Sequence, residues 1–110
     1  MAQFYILHTW LYYTHFYYTH YTQMALLAAI RGNHVDCVRL ILPVAHINEG
    51  DEEGKTPLHY AVSLGFINIV EMLLNDDRLD INRQDNNGKN ALHYAVESNQ
   101  LACLDLLLKR

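Results

Sequence analysis

The chain has 110 residues, 51% of them hydrophobic and 18% charged, the balance of one folded domain with a modest core rather than of a disordered segment or two domains. A formal net charge of −4 leaves no basic stripe to neutralise phosphates, which excludes DNA or RNA binding driven by counterion release. Two cysteines, Cys37 and Cys103, are too few for a secreted disulfide framework and lack zinc-site spacing, so the expectation is reduced thiols in an intracellular, cytoplasmic protein.

Residues 1–23 form an aromatic leader. Within it YYTHFYYTHY, Tyr12 to Tyr21, nearly repeats itself, and nine of the twelve aromatic residues lie between positions 4 and 21. The first formal charge is Arg31, so the positive region that opens an export signal is missing. Three His, four Thr and six Tyr between positions 4 and 22 are too polar for a spanning helix of ~20 apolar residues. His8, His15 and His20 are seven and five residues apart, which fits neither the i, i+4 pair of a helical metal site nor the i, i+2 pair of a strand, so no metal site is expected.

As a strand the leader would be prone to aggregation, having strong β propensity and no charge to guard it. As a helix it would cap the remainder of the chain, with its rings over Leu26, Ile30 and Val38. A membrane surface also suits Tyr and Trp, although the basic residues that strengthen such binding are absent. The cap is the favoured reading, with a disordered leader beside it. Tyr, Thr, His and Ile codons can all be read from alternating TA and CA tracts, so translated simple-sequence DNA or a misplaced gene start is a competing origin.

From residue 24 onward the chain repeats. GKTPLHYAV from Gly54 returns as GKNALHYAV from Gly88, 34 positions later, with seven of nine residues identical. A weaker copy, MALLAAIRGNHVDCVRLIL from Met24, aligns at an offset of 32 with TPLHYAVSLGFINIVEMLL from Thr56. Self-similarity at such a period marks a stacked array. The units run over residues 24–50, an atypical first copy, then 51–84, then 85–110, a truncated third.

Each unit reads as two short helices and a loop. Thr56 is a good N-cap and Pro57 occupies the first helical position, where its missing N–H is harmless. Leu58, Ala61 and Val62 make a narrow apolar face, and Gly65 ends this first helix of the unit, helix A, where a left-handed residue is needed. Asn33 and Asn99 hold the equivalent turns, asparagine being the usual substitute at positive φ. The second helix, helix B, starts at Ile67 and buries Val70, Leu73 and Leu74. Helices this short are marginal alone, so the units must stack.

The signature D-x-x-G-K-T-P-L-H-Y-A at Asp51 to Ala61, recurring as D-x-x-G-K-x-x-L-H-Y-A at Asp85 to Ala95, resembles the ankyrin repeat family over about residues 24 to 110. The resemblance implies an all-α solenoid of about three helix-turn-helix units with loop or β-turn fingers. The first unit departs from the pattern with Met24-Ala25 and Leu27 where the second has Thr-Pro and His59. The third has Asn90-Ala91 in place of Thr-Pro. Its Leu106-Leu107-Leu108-Lys109-Arg110 has nothing downstream to cover it, although a terminal repeat normally carries a polar outer face. A fragment, or self-association through this end, is the expectation.

His59 and His93 occupy one repeat position, and the resemblance makes them scaffold residues that tie neighbouring loops. Cys37 and Cys103 align through Ile69 and are expected in the core, too far apart for a disulfide because helices pack ~8–10 Å apart. The acidic run Glu49-Gly50-Asp51-Glu52-Glu53 lacks the alternation of a calcium loop. No phosphate loop, nucleophile triad or enclosed carboxylate pair is present. Neither enzyme activity nor a metal or cofactor is expected.

What remains is surface. The resemblance implies partner binding along a concave face of loop tips and helix A, here Glu52, Glu53, Lys55, Ser63 and Leu64, then Asn86, Asn87, Lys89, Glu97 and Ser98. The acidic first tip suits a partner with a local basic patch. The expected function is therefore a non-catalytic module that binds another protein. The alternatives are a membrane-surface or self-associating protein that uses the aromatic leader, and the targeting arm of a larger enzyme.

Overall fold

In a computed structural model the described residues are 19–110, and they form helices joined by turns with no strand among them. Residues 19–31 are helical (α1). They are followed by α2, Val35–Ile41, with a 3-10 turn at Leu42–Val44, by α3, Pro57–Leu64, and α4, Ile67–Leu74, and by α5, Ala91–Glu97, and α6, Leu101–Lys109. The leader readings for residues 1–18, cap and metal spacing included, lie outside the described residues.

The local chemistry sets these boundaries. At the start of α3 the Thr56 hydroxyl accepts the His59 N–H at 3.3 Å while the Thr56 N–H donates to His59 Nδ1 at 3.1 Å, a reciprocal box behind Pro57. The third unit keeps the box without the proline. Asn90 Oδ1 accepts the His93 N–H, and the Asn90 N–H donates to His93 Nδ1, both at 3.2 Å. Each such cap satisfies amides that the first turn leaves orphaned. Gly65 adopts φ 74° after α3, and Asn33 and Asn99 adopt 55° and 53° in the corresponding turns.

Two layers result. In the inner layer α3 packs on α5; in the outer layer α4 lies between α2 and α6. One apolar core runs through both, from Leu26, Ile30 and Val38 through Leu58, Val62, Ile69 and Leu73 to Cys103 and Leu107. The stack is the expected solenoid, and in the second unit α3 and α4 bury the stripes their spacing assigns, Leu58, Ala61 and Val62, then Val70, Leu73 and Leu74.

Cys37 is a correction. Cys103 is buried as expected, but Cys37 is exposed. Both align with buried Ile69, yet α4 and α6 each have an earlier outer helix beside them, α2 and α4 respectively. Among the described residues α2 has none, so equal position does not give equal burial.

The loops between units are tied across the stack by side chains. Arg78 donates to Ala45 O at 3.0 Å and to Leu42 O at 2.9 Å, closing the exposed carbonyl end of the first outer helix, while Asp76 holds its guanidinium at 2.8 Å. Asn48 donates to Arg78 O and accepts the Asp80 N–H, both at 2.7 Å. Consecutive linkers are thereby locked in register.

Gly54 and Gly88 sit at the same finger position with φ 79° and 78°. A β-carbon at Gly54 would come within 2.8 Å of the Asn86 backbone nitrogen, whereas one at Gly88 would meet nothing within 4 Å. The strain of positive φ alone makes Gly88→Ala cost about 1 kcal/mol. Gly54→Ala is expected to cost at least about twice that, because backbone must also move. Urea titrations of the two variants side by side check the difference.

Candidate functional site

Each finger is closed by its aspartate. The Asp51 N–H donates to Lys55 O at 3.0 Å, and the Glu53 and Lys55 N–H groups both donate to Asp51 Oδ1 at 2.9 Å. The third unit repeats this around Asp85, which accepts the Asn87 and Lys89 N–H groups at 2.9 Å. The remaining carboxylate oxygens accept the Tyr60 and Tyr94 hydroxyls, pinning each finger to the helix behind it. The acidic run is thus partly a scaffold, since Asp51 points inward.

These ties shift the groups that make them. The Tyr94 hydroxyl and the Lys89 and Asn87 amides hold the Asp85 carboxyl down at about 2, and burial together with Asp85 pushes the Tyr94 phenol up. The contribution of Asp85 to stability is therefore complete above the ordinary carboxylate range and drains away as pH falls toward 2. Sequence reasoning missed the pair, although Asp and Tyr nine positions apart in both copies was the available signal.

The fingers pair with one another. Asn86 donates its backbone N–H to Glu53 O at 3.0 Å and its side-chain amide to Glu52 O at 2.9 Å. Glu52, Glu53, Asn86 and Asn87 are thereby brought together as exposed tips. Leu64 is exposed at the end of α3, and Ser63 turns its hydroxyl onto Tyr60 O at 3.2 Å. Lys55 pairs with Glu53 at 3.1 Å, and Lys89 pairs with Glu97 at 3.0 Å. Ser98 caps the C-terminal end of α5 and is half-buried.

Both lysines of the face are therefore neutralised within the chain, while Glu49 and Glu52 have no ion-pair partner among the described residues. Beside them a cleft of about 480 Å³ is lined by Met24, Leu27, Glu49 and Glu52 together with residues of the first turns of α1. Arg31 lies over the Tyr60 ring, its guanidinium carbon 4.8 Å from the centroid, and donates to the Tyr60 hydroxyl at 3.3 Å. Met24, Leu27 and Glu49 join the face through folding. Their positions in the atypical first unit gave no motif to read.

His59 is buried between units. Its Nδ1 accepts the Thr56 N–H, so Nε2 carries the proton and donates to Arg83 O at 2.9 Å. The ring stacks on Tyr94 with centroids 4.9 Å apart. Burial lowers its pKa against the pull of the Arg83 carbonyl and of Asp85 and Asp51, which keeps the ring neutral. His93 makes the same local cap but is exposed and ties no second loop among the described residues. Among the described residues the linking role expected of both histidines is seen for His59, which has the following linker and Tyr94 packed against it.

No group of three or more metal-ligating side chains is gathered among the described residues. No helix among them is long and apolar enough to cross a membrane. No curated protein matches the chain. A family model described as ankyrin repeats (3 copies) matches residues 5–85 and 26–110, so the match reaches into the aromatic N-terminal segment that the repeat pattern alone leaves out. With the paired helices, the Gly-Lys fingers and the Thr/Asn-x-x-His caps in register, the chain belongs to the ankyrin repeat family.

Proposed function

We propose that this chain is a non-catalytic protein-binding module that takes its partner on the side bearing the fingers, with Glu52, Glu53, Leu64, Asn86 and Asn87 on the contact surface. Ankyrin repeats are in general protein-interaction modules. The observation that carries the specific reading is the charge arrangement of that side: Lys55 and Lys89 are paired internally, and among the described residues Glu49 and Glu52 have no ion-pair partner and lie beside the apolar side chains Met24 and Leu27. A partner segment with Lys or Arg flanked by apolar residues complements it, charge setting encounter and orientation while the apolar contact supplies affinity.

Crosslinking of the tagged chain in its source cells, with identification of the bound proteins, tests the reading. A protein retained by the wild type and by Leu40→Glu, a change on the outer layer, is expected to be lost from the double variant Glu52→Lys, Leu64→Glu. Loss with Leu40→Glu and retention by the double variant would place the interface on the opposite side and overturn the proposal.

A further inference from the structure

One position of the inner helices changes character along the stack. The alignment that matches Met24 with Thr56 and Gly54 with Gly88 places Arg31, Ser63 and Glu97 at the same point of helix A. Glu97 is neutralised by Lys89 at 3.0 Å. Arg31 is exposed and has no ion-pair partner among the described residues, and no acidic residue precedes Asp36 in the sequence.

The Arg31 side chain is nevertheless held in place. Its guanidinium carbon lies 4.8 Å from the Tyr60 ring centroid, its Nη2 donates to the Tyr60 hydroxyl at 3.3 Å, and that hydroxyl donates in turn to Asp51 at the base of the second finger. One repeat later Ser63 is too short to reach Tyr94 and donates to Tyr60 O instead, so Tyr94 carries no such cation among the described residues. A guanidinium has five N–H donors in one plane, and Tyr60 takes one of them. The remaining edge matches a carboxylate bidentately, and stacking has already removed rotamer freedom that an arginine gives up on binding.

The neighbours of Arg31 make a strip. Leu27 lies one turn before Arg31 and so on the same face of α1, and it lines the cleft that also holds Glu49 and Glu52. Leu64 lies one turn after Tyr60 on α3 and is 43% exposed. Across the inner side the order is therefore carboxylates, an apolar side chain, a fixed cation, then a second apolar side chain.

We propose that Arg31, laid on Tyr60, is a specificity-determining residue that receives an acidic side chain of the partner. The proposal rests on the partner side assigned above and adds a second charge to it. The bound segment carries Asp or Glu over Arg31 and Lys or Arg over Glu49 and Glu52. Opposite charges along the strip fix the direction in which the segment runs, because the reverse order brings like charges together at both points.

The probe is a phage-displayed library of random linear peptides, panned on the 110-residue chain and on Arg31→Glu. Peptides selected by the wild type are expected to share an acidic residue at a fixed distance from a basic one, and those selected by Arg31→Glu to carry a basic residue at the acidic position. A synthetic copy of the most enriched wild-type peptide should bind Arg31→Ala at least about tenfold more weakly. It should regain affinity for Arg31→Glu when its acidic residue becomes lysine, a reciprocal effect that a purely structural arginine would not give. Arg83→Ala, at another exposed arginine without an ion-pair partner among the described residues, should bind as the wild type does. Absence of a shared acidic position, or equal affinity of the wild type and Arg31→Ala, would sink the inference. The partner side itself would still stand if the double variant Glu52→Lys, Leu64→Glu loses the peptide, whereas binding untouched by that double variant would remove both.

Discussion

Replacing His59 with alanine is expected to destabilise the chain by about 2–4 kcal/mol, while the same change at His93 costs less than about 1 kcal/mol. His59 is buried, bridges the Thr56 N–H and the Arg83 carbonyl, and stacks on Tyr94. Its removal strands two polar groups and opens a gap between the second and third units. Around exposed His93 water replaces whatever the ring supplies. Urea unfolding followed by far-UV circular dichroism checks the pair, and equal losses would show that the buried bridge contributes nothing beyond the cap.

The same histidine gives a pH signature. Burial lowers the folded-state pKa of His59 below its ordinary value of 6.5. Such a base stabilises the fold fully above its unfolded pKa, and that stability is lost as pH falls through the folded value, because the unfolded chain then binds the proton more readily. The wild-type urea midpoint is therefore expected to decline from neutral pH into the mildly acid range more steeply than that of His59→Ala. Parallel pH profiles for the two proteins would sink the assignment.

Leu73→Ala is expected to be the most damaging aliphatic truncation, at about 2–5 kcal/mol, against a total stability of about 5–15 kcal/mol for an ordinary domain. Leu73 is fully buried in α4, the outer helix that touches α2, α3 and α6. In a solenoid, stability is the sum of unit and interface terms. A cavity in the middle unit weakens both interfaces at once, so the transition should broaden as well as shift. Leu40→Ala, at a side chain 80% exposed on α2, should stay within about 0.5 kcal/mol. Calorimetry on both variants reads the two effects, and a small loss at Leu73 would mean that the core relaxes around the gap.

Much of the fold could be read from the chain because short-range chemistry dictates it. Thr56-Pro57 and Asn90 start helices whatever lies beside them, since a cap needs only its own first turn. Gly65, Asn33 and Asn99 end helices for the equally local reason of positive φ. The site was less legible. Glu52, Glu53, Asn86 and Asn87 follow from the repeated finger, but the pairing of Lys55 and Lys89 with nearby glutamates, and the entry of Met24 and Leu27 into the same surface, depend on how α1 and α3 lie against the loops.

By itself the sequence determined the unit: its length, its two helices, its caps and turns, and the stripe each helix must bury. Only the tertiary structure decided what covers each stripe. Cys37 and Cys103, His59 and His93, Val62 and Val96 hold matching positions and have opposite exposures. The physical reason is that burial belongs to a pair of neighbouring units and not to a residue: a side chain leaves water only when the next unit arrives to cover it.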